Sequence, residues 1–141
     1  MNIFAITASA VLAMGSPHTA TLSHQGEDHA VTYTPKVAVE YRTVGMSAGP
    51  RPSTERCRWV GTVAVDRHLH DDQGRRLTKT LDAVHRMEGS RHGACAPARA
   101  AIDQEIAARH DEVTAHVQRV AAADRDAALA DLRTGRQFAS N

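Results

Sequence analysis

The segment His68-Leu69-His70-Asp71-Asp72 gathers two imidazoles and two carboxylates within five residues. In an extended strand His68 and His70 project from the same face, and imidazole with carboxylate is a donor set that suits zinc, copper or nickel. A metal-binding edge at His68 and His70, helped by His85 or His92, is one chemistry the sequence allows. The spacing fixes no third ligand, so a solvated strand end followed by a turn is the stronger reading, and no cofactor is expected.

Cys57 and Cys95 are the only cysteines, and they do not form a Cys-x-x-Cys pair. In an oxidising compartment two such thiols are expected to join as a structural disulfide. Asp66, Asp71, Asp72, Asp82 and Glu88 could supply an acid and a base, but nothing in their spacing selects a pair. Ser53 and Thr54 lack a nucleophile-elbow context. Gly89-Ser90-Arg91-His92-Gly93 is too short for a phosphate loop and reads as a turn. No catalytic residue is assigned and enzymatic activity is not expected, with a small envelope hydrolase and a His-dependent metal binder as the alternatives.

The N-terminal region carries a clearer message. The first 26 residues contain no Lys, Arg, Asp or Glu, and Ile3 to Ala13 is an almost wholly apolar run followed by Ala13-Met14-Gly15. An apolar core of about 7 to 15 residues ahead of small residues is the pattern of an export signal, here spanning 1–15 with cleavage near Gly15. The run is too short for a membrane span of about 20 residues, so no membrane insertion is expected after cleavage. The destination is the periplasm or the exterior. Arg outnumbers Lys 15 to 2 and Ala is abundant, a bias that hints at a bacterial source.

The charge balance is close to even, with 17 basic and 16 acidic residues. No global field draws the chain to nucleic acid or to an anionic membrane. About 126 residues would remain after cleavage, enough for one domain with a modest core.

Several elements must position these residues. Residues 16–29 are small, polar and without period, and read as a flexible leader. Val31, Tyr33, Val37, Val39, Tyr41 and Thr43 occupy odd positions while Lys36, Glu40 and Arg42 occupy even ones, the two-residue period of a half-buried strand. Pro35 suggests an edge strand or two short ones over residues 30–44. Residues 45–53 read as a loop. A second strand is expected over Arg56–Arg67, with Cys57, Trp59, Val63 and Val65 on one face and Val60 and Ala64 on the other, which marks it as central. Asp71 to Gly74 supply a turn, and a further antiparallel strand is expected within residues 75–90.

From Pro97 to Arg133 the chain is rich in Ala, Arg and acids, without an internal Gly or Pro. This predicts one long helix over 97–133, with Pro97 at its first position and Gly135 closing its end. Ile102, Ile106, Val113, Val117 and Val120 form a narrow stripe closer to a seam than to a broad core face. A helix of about 55 Å exceeds the roughly 17 to 20 Å of a typical strand, so Val113, Val117 and Val120 are expected to project and to mediate association with another protein or a second copy. The sequence thus predicts an α+β fold: a small antiparallel sheet of three or so strands, with Trp59 in its core, packed on a long C-terminal helix in a single domain over 30–141.

Overall fold

A computed structural model describes residues 10–12, 15–70 and 74–139. The fold is α+β, an antiparallel sheet with helices on one face. The strands are β1 (Ala10–Leu12), β2 (His18–His24), β3 (Glu27–Val44), β4 (Arg56–His70) and β5 (Arg76–His92), followed by helices α1 (Cys95–Ala107) and α2 (His110–Ala139). Strands β3, β4 and β5 form a meander. Both β1 and β2 pair with the free edge of β3, so the sheet is four strands wide.

The period-2 pattern fixes which face is buried. Val31, Tyr33, Val37, Val39 and Tyr41 of β3 are buried, as are Cys57, Trp59, Val63 and Val65 of the central strand β4, whereas Val60 and Ala64 face the other way and are half-buried. Pro35 does not interrupt β3, and the strand is not an edge. On the side away from β4, β2 pairs with β3 up to Tyr33 and β1 from Val37, so among the described residues Pro35 has no ladder partner there, a position where a residue without an amide proton is tolerated.

One expectation for the N-terminal region changes. Residues 18–24, read as part of a flexible leader, form β2, with Leu22 buried in the core. Their alternation was hidden because Leu22 is the one large apolar side chain among small polar ones. Of the apolar run proposed as an export signal, Ala10–Leu12 form β1; residues 1–9, 13 and 14 lie outside the described residues, so the signal and its cleavage site lie largely outside them too.

The C-terminal region differs most from expectation. It is two helices, separated at Ala108 and Arg109, instead of one over 97–133. No Gly or Pro marks the break. Asp111 and Glu112 fall in the first turn of α2, where the amide dipoles favour negative charge, and Arg109 donates from Nε to Glu112 Oε2 (2.8 Å) and from Nη2 to Oε1 (2.9 Å). At the other end α2 runs through Gly135 to Ala139. The start of α1 lies at Cys95, whose amide donates to Thr43 Oγ1 of β3 (3.1 Å), so a tertiary contact supplies the cap.

The helices do not project. Val113 and Val117 are fully buried and Val120 is 7 % exposed, so the stripe expected to bind a partner is core. The physical reason is strand length. At about 3.3 Å per residue the 18 residues of β3 reach nearly 60 Å, and the sheet offers α2 a surface as long as itself. Ile102, Ile106 and Val113 pack with Trp59, Met87 and the cysteines in one half of the core. Val117, Val120, Ala128 and Leu132 pack with Leu22, Tyr33, Leu69 and Leu81 in the other.

The expected disulfide is present. Cys57 and Cys95 are bonded with a Cα separation of 4.6 Å, tying the start of β4 to the start of α1. With a sequence separation of 38, loop-closure entropy makes this link worth about 4 kcal/mol. Replacing both cysteines by Ser should lower the unfolding free energy by about that amount without changing the far-ultraviolet circular dichroism of the folded state, as chemical denaturation of the two proteins will show.

Candidate functional site

The sequence-derived candidates fall at separate places. His68 and His70 do share the outer face of β4, away from the helices. His68 Nδ1 lies 3.0 Å from Thr78 Oγ1 and accepts from Arg76 Nε at 3.2 Å. Burial and the Arg76 guanidinium both hold this imidazole below its ordinary pKa. A fixed positive charge on Nδ1 is a poor neighbour for a cation. His85 faces inward towards α2, and His92 pairs with Arg56 at the opposite end of the sheet. Among the described residues no three His, Cys, Asp or Glu side chains form a metal-holding group; Asp71 and Asp72 lie outside them. Asp66 is bound by Lys36 and by Thr80, whose Oγ1 donates at 2.6 Å, and these partners hold its carboxyl below the usual range against the opposing effect of burial. Residues 89–92, read as a turn, belong to β5.

Gly89 has a packing role in that strand. A Cβ there would lie 2.7 Å from three atoms of the Trp59 indole, so the ring covers the backbone of β5 where any other residue would displace it. Another close approach is at Gly45, with φ +95° and a would-be Cβ 2.4 Å from the carbonyl oxygen of Thr54. It closes the loop between β3 and β4, whose ends are joined by Thr54 N–H to Met46 carbonyl (2.9 Å). These two glycines let the disulfide end of the sheet fold tightly.

On the outer face of that end lies a concavity of about 660 Å³. The strand register sets its composition. Arg42, Arg58 and Ser90 stand side by side on β3, β4 and β5; the next row is Glu40, Val60 and Glu88, and the row beyond is Ala38, Thr62 and Arg86. Arg56 Nη2 donates to Ser90 Oγ (3.0 Å) and Arg86 pairs with Glu88 at 3.3 Å. Neither guanidinium of the Arg42 and Arg58 pair makes an ion pair among the described residues. Like charges directly across a ladder are unfavourable, so this row carries a repulsion that no direct ion pair among the described residues offsets. Nothing local in the sequence signals it, because Arg42 and Arg58 meet only through a pairing of distant positions.

A second polar cluster sits where β5 meets the start of α2. The β4–β5 register slips between Val63 and Val65, placing Leu81 and His85 four residues apart against two. This bulge presents the Ala83 carbonyl to the buried His116. His116 Nε2 is buried without a hydrogen-bond partner, so Nδ1 carries the proton donated to Ala83. The His85 and His116 rings lie 5.4 Å apart, and His85 Nε2 is 2.5 Å from Glu112 Oε1. Arg109 and His85 together hold the Glu112 carboxyl below its usual range. The cluster joins the bulge to the first turn of α2 and has a structural use.

Burial, the largest influence on His116, holds it below the ordinary histidine pKa of 6.5. The folded state therefore prefers neutral imidazole. Its stabilising effect is complete above about 6.5 and declines as pH falls, because the unfolded chain then takes up a proton that the folded chain resists. His68 acts in the same direction, whereas Asp66 and Glu112, being lowered carboxylates, act only below about 4.5. Melting temperature should drop between pH 7 and 5, and the drop should be smaller in His116→Asn, which keeps a donor for Ala83 but does not titrate. Equal drops in the two proteins would assign the effect elsewhere. Comparison of the chain with protein-family models, with curated proteins and with solved structures finds no match.

Proposed function

We propose that this protein is an exported, non-enzymatic binding domain that works through the outer face of its sheet at the disulfide end. The observation that carries the reading is the concavity over Val60, flanked by Arg42 and Arg58, which have no ion pair among the described residues. Export draws support from the charge-free, apolar N-terminal region and from a disulfide that suits an oxidising compartment. A periplasmic or secreted location in a bacterium is part of the proposal. A contact made through the C-terminal helices would have to use their charged outward side, because Val113, Val117 and Val120 are committed to the core. The outer sheet face is free of that commitment. Its charged rim and half-buried valine floor are the usual make-up of a small binding surface, in which a few polar groups orient a ligand over an apolar base.

The test is a nuclear magnetic resonance titration of the isotopically labelled protein with neutral saccharides, acidic saccharides, amino acids and nucleotides, repeated with Val60→Trp, which fills the floor. Perturbations should cluster at Glu40, Arg42, Arg58 and Ser90 for at least one solute and vanish in the variant. Perturbations confined to the helices, or unchanged by Val60→Trp, would overturn the proposal.

A further inference from the structure

The geometry points to an oxyanion-bearing, polyhydroxylated ligand for this face, the chemistry of an acidic saccharide. This inference rests on the binding reading above and adds the ligand's class. It starts from the cost of the Arg42 and Arg58 pair. The two residues are directly opposed on β3 and β4, both are exposed, and neither makes an ion pair among the described residues; Glu40, the nearest acid on the face, stands one row away. Glu88 is engaged by Arg86. A guanidinium is a planar fork matched to the two oxygens of a carboxylate or phosphate, and two forks side by side can grip one such group from both edges. The ligand's negative charge would remove a repulsion that the free protein carries.

Neighbouring positions define the rest of the ligand. Arg56 flanks the cation row, held by its bond to Ser90. One strand repeat further, roughly 7 Å away, Glu40 and Glu88 flank Val60. Carboxylates accept hydrogen bonds and repel a second anion, so this row suits hydroxyl donors and disfavours a polyanion. Val60, half-buried between them, offers an apolar patch to the carbon face of a sugar ring. An anion at one end, with hydroxyl donors and an apolar ring face together about one ring away, describes a uronic acid or a sugar phosphate. Glucuronate and glucose 6-phosphate carry the same recognised features from these two sources.

Titration of the labelled protein with glucuronate, glucose 6-phosphate and glucose at constant ionic strength tests the inference. Saturable shifts at Arg42, Arg58, Val60 and Ser90 are expected with either acidic sugar. Arg42→Gln with Arg58→Gln should weaken that binding by about tenfold or more, since each charge-assisted bond lost is worth about that factor. The double variant removes a repulsion and should fold at least as stably, so failure to fold does not obscure the result. Preference for glucuronate over glucose 6-phosphate, or the reverse, identifies the source of the oxyanion. If glucose binds the same residues as tightly as glucuronate, the oxyanion assignment is wrong while the binding face stands. If none of the three binds but an amino acid or a nucleotide shifts these residues, the saccharide class is wrong. If no solute shifts the face at all, both proposals fail.

Discussion

One long sheet face has to be covered, and the rest of the structure follows from that need. The alternating sequence of β3 and β4 places an apolar side chain at nearly every second position over 18 and 15 residues. Each fully buried valine on such a face contributes about 1.5 to 3 kcal/mol relative to exposure, but only if something excludes water along the whole length. The two C-terminal helices do so, α1 over the disulfide half of the core and α2 over both halves. Helix and sheet lengths are matched, which is why the helical stripe can be narrow. A flat, narrow contact repeated along a long sheet gives the same total burial as a broad contact with a short one.

Two devices fix the helices in place on this face. At one end the disulfide pins α1 to β4 within the core. Further along, Arg67 of β4 is 2 % exposed and donates from Nη1 to both carboxylate oxygens of Asp124 of α2, at 3.0 and 2.9 Å, and from Nη2 to Asp131. Tyr33 donates to the same Asp124 at 3.1 Å, and its hydroxyl is pushed well above the ordinary tyrosine pKa by burial and by that carboxylate. A buried ion pair of this kind is weak evidence for added stability, because desolvation offsets much of its attraction, yet removing one partner strands the other at a cost of about 3 to 5 kcal/mol. It therefore selects one position of α2 on the sheet among many that hydrophobic contact alone would allow. Near the disulfide, Tyr41 is used similarly, donating to Asp103 of α1 at 2.6 Å beneath the Arg99 guanidinium, with its pKa pushed up to about 12 by burial and by Asp103.

Much of this architecture is legible locally. The buried face of β3, the central place of β4, the disulfide and the helical content all follow from period, residue type and cysteine count. What is not legible depends on pairing between distant positions. The role of Asp124 is one example, because Arg67, its partner, lies 57 residues earlier. The projecting helix is an error of scale, since strands of typical length cannot cover Val117 whereas these strands do. β2 escapes notice because Thr and Ser alternate with one Leu, and the helix break because charge placement, without Gly or Pro, makes it. The Arg42 and Arg58 row of the candidate site is likewise invisible in sequence. It exists only in the register of β3 against β4, while of the His68 and His70 pair that the sequence advertises, His68 is held by Arg76 and Thr78.

Covering of the inner sheet face by α2 is what leaves only the outer face open to solvent, and native-state hydrogen exchange measures that covering most directly. Amides of α2 between Val113 and Leu132 should exchange only through global unfolding, with the same free energy as the central residues of β4. Exchange of residues 117–132 through a local opening well below that free energy would contradict the account, because it would show a helix that leaves the core and an inner sheet face available for binding after all.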